Sequence, residues 1–340
     1  MDIDTLNKNH NQNVKKNHFP IFVSMYCTYY EYWEVIFLLF EDLIKEYIYE
    51  IKTRNYTERT IKGYRNNVLK FQKFVKDEFG IIEIEEITHL HIKNYLSYLQ
   101  SKGLSAVYIN TILKNIRSFY KYCFKEGYCL NITTKVSWQR EKKIVIETFE
   151  DKEIKRMLDV YKFDSYINAR NRAIIYTLVD TGIRNLELCS LTITDVREST
   201  IFILGKGNKE RIVPISPMLK KILIKYERIR NSYLKDNILH YDNYFLSYRN
   251  KPLTVEAIER VVKIAGSKAK VRKNVRCSPH TIRHYFAQAQ LRNGLGVYEL
   301  SRLLGHESIN ITKRYLQGLK DKEVLEMGMK TSPLMNLKLK

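Results

Sequence analysis

Two short motifs place an arginine where it could bind a phosphate group. Arg184 follows the Thr-Gly pair at 181–182, which ends one predicted helix, and it opens the next helix with Glu187 three residues later. A helix start offers free backbone N–H donors beside the guanidinium, which suits an anion. In the second motif, His280 and Arg283 share one face of a predicted helix because their spacing is i, i+3. Taken alone, a capped helix explains the first motif better, and a helix-surface histidine explains the second equally well.

Three further residues could complete a site for chemistry at a phosphate. Lys206 lies in a Gly-Lys-Gly-Asn turn, His306 follows a Leu-Leu-Gly sequence, and Tyr315 comes nine residues later. Attack of a hydroxyl on a phosphodiester builds negative charge on the non-bridging oxygens, which two guanidiniums can bind with charge-assisted hydrogen bonds. A phenol has a pKa of about 10, so as a nucleophile at neutral pH it needs a proton acceptor or cationic surroundings. His280 is placed for that role.

In combination, the motifs resemble the catalytic set of the tyrosine recombinase (phage integrase) family. One lysine at a hairpin tip, or one tyrosine among 25, carries no signal, but several spaced motifs rarely coincide by chance. The resemblance implies that Tyr315 attacks DNA and forms a 3′-phosphotyrosyl link. The matching phrases are TGIRNLEL, GKGNKER, SPHTIRHYFA and LLGHESINITKRYL. The implied catalytic residues are Arg184, Lys206, His280, Arg283, His306 and Tyr315, with Glu187 in support.

The resemblance also assigns individual roles and implies that no cofactor takes part. Lys206 would protonate the leaving 5′-oxygen, His306 would hydrogen-bond the scissile phosphate, and Glu187 would orient neighbouring catalytic groups. No nucleotide is expected, because the phosphotyrosine bond conserves the energy needed for religation. His280 and His284 stand at i, i+4, but no carboxylate or thiol accompanies them at ligand spacing, so a metal site is not expected either.

The charge of the chain favours a polyanionic partner. The formal net charge is +21, and residues 132–340 hold 40 basic against 22 acidic side chains. A basic protein from an AT-rich genome would explain the charge as well, so charge alone does not decide. With the resemblance, the expected partner is double-stranded DNA at a specific recombination site. The resemblance also implies a tetramer on DNA, made of this chain or of this chain and a related recombinase.

A membrane location and a disulfide framework are not expected. Residues 21–40 are apolar over roughly a membrane-spanning length, but Glu31 and Glu34 interrupt them. The five cysteines form no C-x-x-C pair, which suits a reducing cytosol. We therefore expect a cytoplasmic protein, and the family resemblance implies a bacterial, nucleoid-associated one.

The hydrophobic pattern predicts a mainly α protein with a small β-hairpin (α+β). Apolar residues at helical spacing predict four helices over residues 41–131, which resemble the family's SAM-like core-binding domain. The second domain is predicted to begin with a capped helix near Thr148 and to carry the hairpin over 201–215. The full division is an N-terminal extension (1–40), the helical domain (41–131), a linker (132–147), a catalytic domain (148–319) and a tail (320–340), whose segment Asp321–Met329 could dock on a neighbouring protomer.

Two other functions fit part of the pattern. A type IB topoisomerase shares the chemistry but relaxes supercoils as a monomer. A non-enzymatic module that holds DNA explains the charge but treats the spaced motifs as coincidence. The compact layout resembles Xer-type recombinases and small integrases of mobile elements, and the sequence does not choose between them.

Overall fold

The computed structural model describes residues 39–141, 147–205, 210–235 and 240–316, together with Leu325 and Met329. The chain divides into two compact units, Met1–Lys142 and Lys143–Lys340. Helices dominate both units, and the sheet structure in the described ranges is one two-stranded hairpin. The predicted mainly α class with a small β-hairpin is therefore confirmed. Every helix in these ranges is too short or too polar to span a bilayer.

The first unit consists of four α-helices and a short 3-10 helix. Thr57 caps the second helix, because its side chain accepts a hydrogen bond from the Thr60 N–H, as the sequence predicts. Apolar residues at three- and four-residue spacing line the inner face of each helix and are buried. The elements are α1 Phe40–Thr53, α2 Glu58–Phe79, α3 His89–Ser101, α4 Ala106–Lys125 and the 3-10 helix Ile132–Lys135.

Aromatic rings form the centre of this unit. Phe40 stacks on Phe119 with ring centroids 5.4 Å apart, and Tyr47 meets the same Phe119 edge-on at 5.5 Å. Residues beyond α4 also pack here: Val136 joins the core, and the Trp138 ring lies 4.1 Å from the Arg117 guanidinium carbon. The helical core therefore extends past the four predicted helices.

The second unit contains eight α-helices and the hairpin within its described residues. Its first helix begins at Asp151 rather than at Thr148, because Glu150 and Glu153 form a capping box there. The elements are α5 Asp151–Leu158, α6 Tyr166–Thr181, α7 Asn185–Ser190, β1 Thr200–Leu204, β2 Glu210–Pro214, α8 Pro217–Leu234, α9 Val255–Lys268, α10 Pro279–Arg292, α11 Val297–Leu304 and α12 Ile309–Leu316.

The hairpin strands pair antiparallel, with Ile201 opposite Val213 and Leu204 opposite Glu210. Ile201, Ile203 and Val213 face the core, as the alternating pattern of a half-buried strand requires. This register fixes the position of Arg211, which lies opposite Ile203.

Candidate active site

Arg184 and Glu187 form a closed pair at the start of α7. Arg184 is the N-cap residue: its backbone N–H donates to Glu187 Oε2 at 2.9 Å, and its guanidinium donates to Oε1 at 2.8 Å. The guanidinium also donates to the Gly305 carbonyl at 2.9 Å. The Arg184 side chain remains 41% exposed, whereas that of Glu187 is 7% exposed. The arginine is therefore held in place while part of it stays open to a ligand.

A second arginine, Arg211 on β2, binds the same carboxylate. It donates to the two oxygens of Glu187 at 2.8 and 2.6 Å and to the Leu303 carbonyl at 3.0 Å. Burial alone would raise the pKa of Glu187, but the hydrogen bonds and charge of Arg211, followed by those of Arg184, lower it to about 2. Glu187 is therefore an anion at neutral pH. Sequence reasoning missed Arg211, although it ends the quoted GKGNKER phrase.

Arg283 lies deepest, with 4% of its surface exposed. It donates to the Gly182 carbonyl at 2.7 Å and to the Leu304 carbonyl at 2.6 Å. Burial, and then the nearby Arg184, lower its pKa to about 10. It therefore stays charged at neutral pH, with its donors fixed by main-chain oxygens.

Two glycines in the left-handed conformation let the backbone approach these arginines. Gly182 ends α6 at φ 59°, and a Cβ there would overlap the Phe286 ring. Gly305 ends α11 at φ 62°, and a Cβ there would lie 2.9 Å from Arg211 Cδ. Only glycine meets both the backbone and the space requirement at these turns.

His306 connects the arginines to the helix of the candidate nucleophile. Its Nε2 lies 3.2 Å from an Arg283 guanidinium nitrogen, and its Nδ1 lies 2.8 Å from Thr312 Oγ1 on α12. Burial, followed by the charges of Arg283 and Arg184, lowers the pKa of His306 to about 4. The ring is therefore neutral at physiological pH in the DNA-free state.

Tyr315 is buried among histidine rings, with 4% of its surface exposed. Its ring centroid lies 6.2 Å from that of His306 and 5.2 Å from that of His284. The His284 ring in turn lies 4.2 Å from that of His280. Burial, and then His280, lower the pKa of His284 to about 4. His284 drew attention in the sequence only as half of an i, i+4 pair, and here it contacts both the predicted nucleophile and its predicted proton acceptor.

Most of the predicted set thus converges in the second unit. Hydrogen bonds link Arg184 to Glu187 and Arg283 to His306, and the two arginines donate to the adjacent carbonyls of Gly305 and Leu304. Ring contacts connect Tyr315 to His306 and, through His284, to His280. Lys206 lies outside the described residues, as does the tail from 320 onward apart from Leu325 and Met329. Within the described ranges, no three His, Cys, Asp or Glu side chains are grouped to hold a metal ion.

Comparison with known families covers both units. The model of the phage integrase family matches residues 147–322, which is more than half of the chain. The model of the phage integrase N-terminal SAM-like domain matches residues 43–129.

Individual relatives agree with these matches. Tyrosine recombinase XerD of Staphylococcus haemolyticus is 30% identical over 280 residues, which cover 81% of this chain and 93% of the relative. The crystal structure of XerH bound to its difH substrate in a post-cleavage complex has a TM-score of 0.68 at 22% identity, covering 86% of this chain and 83% of that one. A lambda integrase tetramer on a Holliday junction has a TM-score of 0.66 at 15% identity, covering 84% and 80%. This chain therefore belongs to the phage integrase family of tyrosine recombinases.

Proposed function

We propose that this protein is a site-specific DNA recombinase that cuts and rejoins strands through a 3′-phosphotyrosyl intermediate on Tyr315, with neither metal nor nucleotide. One observation carries the proposal: the buried phenol of Tyr315 lies beside His306, and the Nε2 of His306 contacts the buried cation Arg283. The family of the chain favours this function over a type IB topoisomerase and over a non-enzymatic binding module.

In the proposed reaction, Arg184 and Arg283 bind the non-bridging oxygens of the scissile phosphate. The Tyr315 oxygen forms a bond to phosphorus as the bond to the 5′-oxygen breaks, and the phenolic proton passes towards His280. Lys206 gives the leaving 5′-oxygen its proton. Religation is the reverse, with a 5′-hydroxyl attacking the phosphotyrosine. Preorganised donors that stabilise developing charge are each worth roughly 3–4 kcal/mol in comparable sites.

Glu187 supports this reaction by fixing the arginines. It holds Arg184 and Arg211 in one hydrogen-bonded group, so Arg184 need not be ordered when the phosphate arrives. His306 would add a hydrogen bond to the phosphate once the phosphate replaces His306 Nε2 as a partner of Arg283.

Exposed cations on both units support DNA as the partner. One side of α2 carries Lys62, Arg65, Lys73 and Lys76, all exposed. In the second unit, a groove of about 710 Å³ lies beside Ser278, the N-cap of the helix that carries His280 and Arg283. Its lining includes Glu256 and Glu259 and five cations, Arg260, Lys263, Arg272, Lys273 and Arg276. Contacts of this kind to backbone phosphates make affinity fall steeply with salt.

We further propose how the chain is organised and assembled. Residues 41–131 serve as the core-binding domain, and 148–319 serve as the catalytic domain. The predicted linker 132–147 is shorter than the sequence suggests, because its first part, up to Trp138, packs on the helical domain. Four protomers, or this chain with a related recombinase, assemble on DNA, with the 320–340 tail docking on a neighbour. The site of action is the bacterial cytoplasm, at the nucleoid. The target is either a chromosome-dimer site, as for Xer-type recombinases, or the end of a mobile element.

Covalent capture tests the function. The protein is purified from its own cell under denaturing conditions, and any attached DNA is sequenced. The wild-type chain should carry DNA of one recurrent sequence, whereas Tyr315→Phe should carry none and still bind duplexes of that sequence. Tyr298→Phe is a matched control, because Tyr298 is 61% exposed on α11.

Other outcomes contradict the proposal. A denaturation-resistant adduct formed by Tyr315→Phe would reject this nucleophile. Scattered captured sequences, together with relaxation of any supercoiled plasmid, would favour the topoisomerase.

A further inference from the structure

A buried hydroxyl faces the imidazole of His306. Thr312 is 0% exposed, and its Oγ1 lies 2.8 Å from His306 Nδ1. It stands on α12 three residues before Tyr315, on the same side of that helix, and both side chains are buried. The hydrogen bond therefore joins the imidazole to the helix of the nucleophile, and it plays no part in the reaction described above.

The partners of His306 define its tautomer when no DNA is bound. Arg283 has only donors, so His306 Nε2, 3.2 Å from its guanidinium, accepts. A neutral imidazole carries one proton, which must then lie on Nδ1 and be donated to Thr312 Oγ1. In this state Nε2 cannot donate a hydrogen bond to a phosphate.

DNA binding requires the opposite arrangement at Nε2. Once Arg283 bonds the phosphate, His306 can donate a hydrogen bond to the phosphate only if its Nε2 carries a proton. The ring must then be either the other neutral tautomer or the imidazolium. A hydroxyl is both donor and acceptor, so Thr312 can accept from a protonated Nδ1 or donate to an unprotonated one. The ring is thus paired in each protonation state without having to rotate.

We propose that Thr312 is a positioning residue that holds the His306 ring in one orientation while the ring's proton changes place on phosphate binding. This role rests on the proposed recombinase function. A hydroxyl also suits the site better than the carboxylate that often orients a catalytic histidine. A second anion here would compete with the phosphate for Arg184 and Arg283, which already lie near the carboxylate of Glu187.

Substitution of Thr312 tests the role on nicked duplexes that carry the sequence recovered by covalent capture. Thr312→Val keeps the volume and removes the hydrogen bond, so the rate of adduct formation should fall about tenfold, with DNA affinity unchanged. Thr312→Ser should restore the rate. A Thr312→Val protein that reacts at the wild-type rate would overturn the proposal.

A double-mutant cycle separates positioning from packing. If Thr312 acts through His306, the effect of Thr312→Val on the rate should disappear in a His306→Ala background. An undiminished effect in that background would mean that Thr312 only packs α12, and would overturn the role.

Nitrogen-15 spectra of histidine-labelled protein supply a readout that does not depend on cleavage. His306 should show a protonated Nδ1 in the free wild-type chain, and a protonated Nε2 when Tyr315→Phe protein is bound to the duplex. An unprotonated Nε2 in that complex would contradict the proposal. A wild-type chain that forms no adduct in its own cell would instead overturn the recombinase function, and the role of Thr312 with it.

Discussion

In the first unit the described residues bury no charged side chain, whereas in the second unit they bury five. The buried polar residues of the first unit are Asn67, Asn115 and Thr133. Those of the second unit include Glu153, Arg170, Glu187, Arg230 and Arg283. The first unit is held by apolar and aromatic packing, and the second adds ionic groups that packing alone would not require.

The difference shows where the fold gives up stability for a fixed electrostatic arrangement. A buried ion pair seldom stabilises a protein more than well-packed apolar residues would, because both ions lose their hydration. Two of the five buried charges, Glu187 and Arg283, belong to the candidate site. Three others, Glu153, Arg170 and Arg230, bind Arg272 or backbone carbonyls elsewhere in the unit.

The largest expected effect comes from removing the carboxylate that joins the arginines. Glu187→Ala leaves Arg184 and Arg211 without their anion and should lower the free energy of unfolding of the second unit by about 3–5 kcal/mol. Hydrogen exchange of peptides from α6 and α10 measures this loss, while tryptophan fluorescence reports the first unit, to which both Trp33 and Trp138 belong.

Glu153→Ala is a matched control for Glu187→Ala. Its carboxylate is equally buried, but its partner Arg272 is 43% exposed and can reach water, so the loss should be smaller. The control should leave adduct formation intact under conditions where the protein is folded. Equal loss of stability in both variants would mean that Glu187 stabilises the second unit no more than the carboxylate of an ordinary buried ion pair does.

A smaller effect is expected from mildly acidic pH. The pKa of His284 and that of His306 are each lowered from 6.5 to about 4 in the folded chain, first by burial. The unfolded chain therefore binds more protons, so their contribution is present above pH 6.5 and is lost as the pH falls towards 4. Glu187 adds a further loss from pH 4.5 towards 2.

The second unit should consequently lose exchange protection at mild acidity before the first unit does. Hydrogen-exchange rates of each unit, corrected for the intrinsic pH dependence of exchange, measure this protection. A His284→Phe variant should show a weaker pH dependence between 6.5 and 4 than the wild type. If both units lost exchange protection at the same pH, the buried charges would not set the second unit apart from the first.

The smallest effect belongs to the packed core of the first unit. Ile116 is 0% exposed on α4, so Ile116→Val should cost about 0.5–1.5 kcal/mol, detected by tryptophan fluorescence during urea unfolding. Because no charge is involved, the cost should be the same at pH 5 and pH 7. A clear pH dependence would indicate that the two units unfold as one.

Local patterns were enough to predict most of the elements. The Thr57 cap, the helix start at Arg184 and the hairpin strands each depend on residues a few positions apart, and short-range spacing describes such interactions well. The start of α5 was placed too early, because two glutamates formed a capping box after Thr148.

Long-range partners could not be predicted in the same way. Arg211 reaches Glu187 from a strand 24 positions away, and no periodicity encodes that contact. His284 and Thr312 are ordinary helix residues in sequence. The packing of α10 against α12 brings His284 to Tyr315, and the turn between α11 and α12 brings His306 to Thr312. The family resemblance supplied residue roles, but it did not supply these intermediate contacts.

The use of main-chain oxygens to hold the arginines has a consequence for natural variation. The carbonyls of Gly182, Leu303, Leu304 and Gly305 accept from the guanidiniums, and a change of side chain does not delete a carbonyl. Leu303 can therefore be replaced by other apolar residues in the course of evolution, and the main-chain carbonyl that binds Arg211 is kept. Tolerance should be lowest at the two glycines, where an added carbon would overlap the Phe286 ring or the Arg211 side chain.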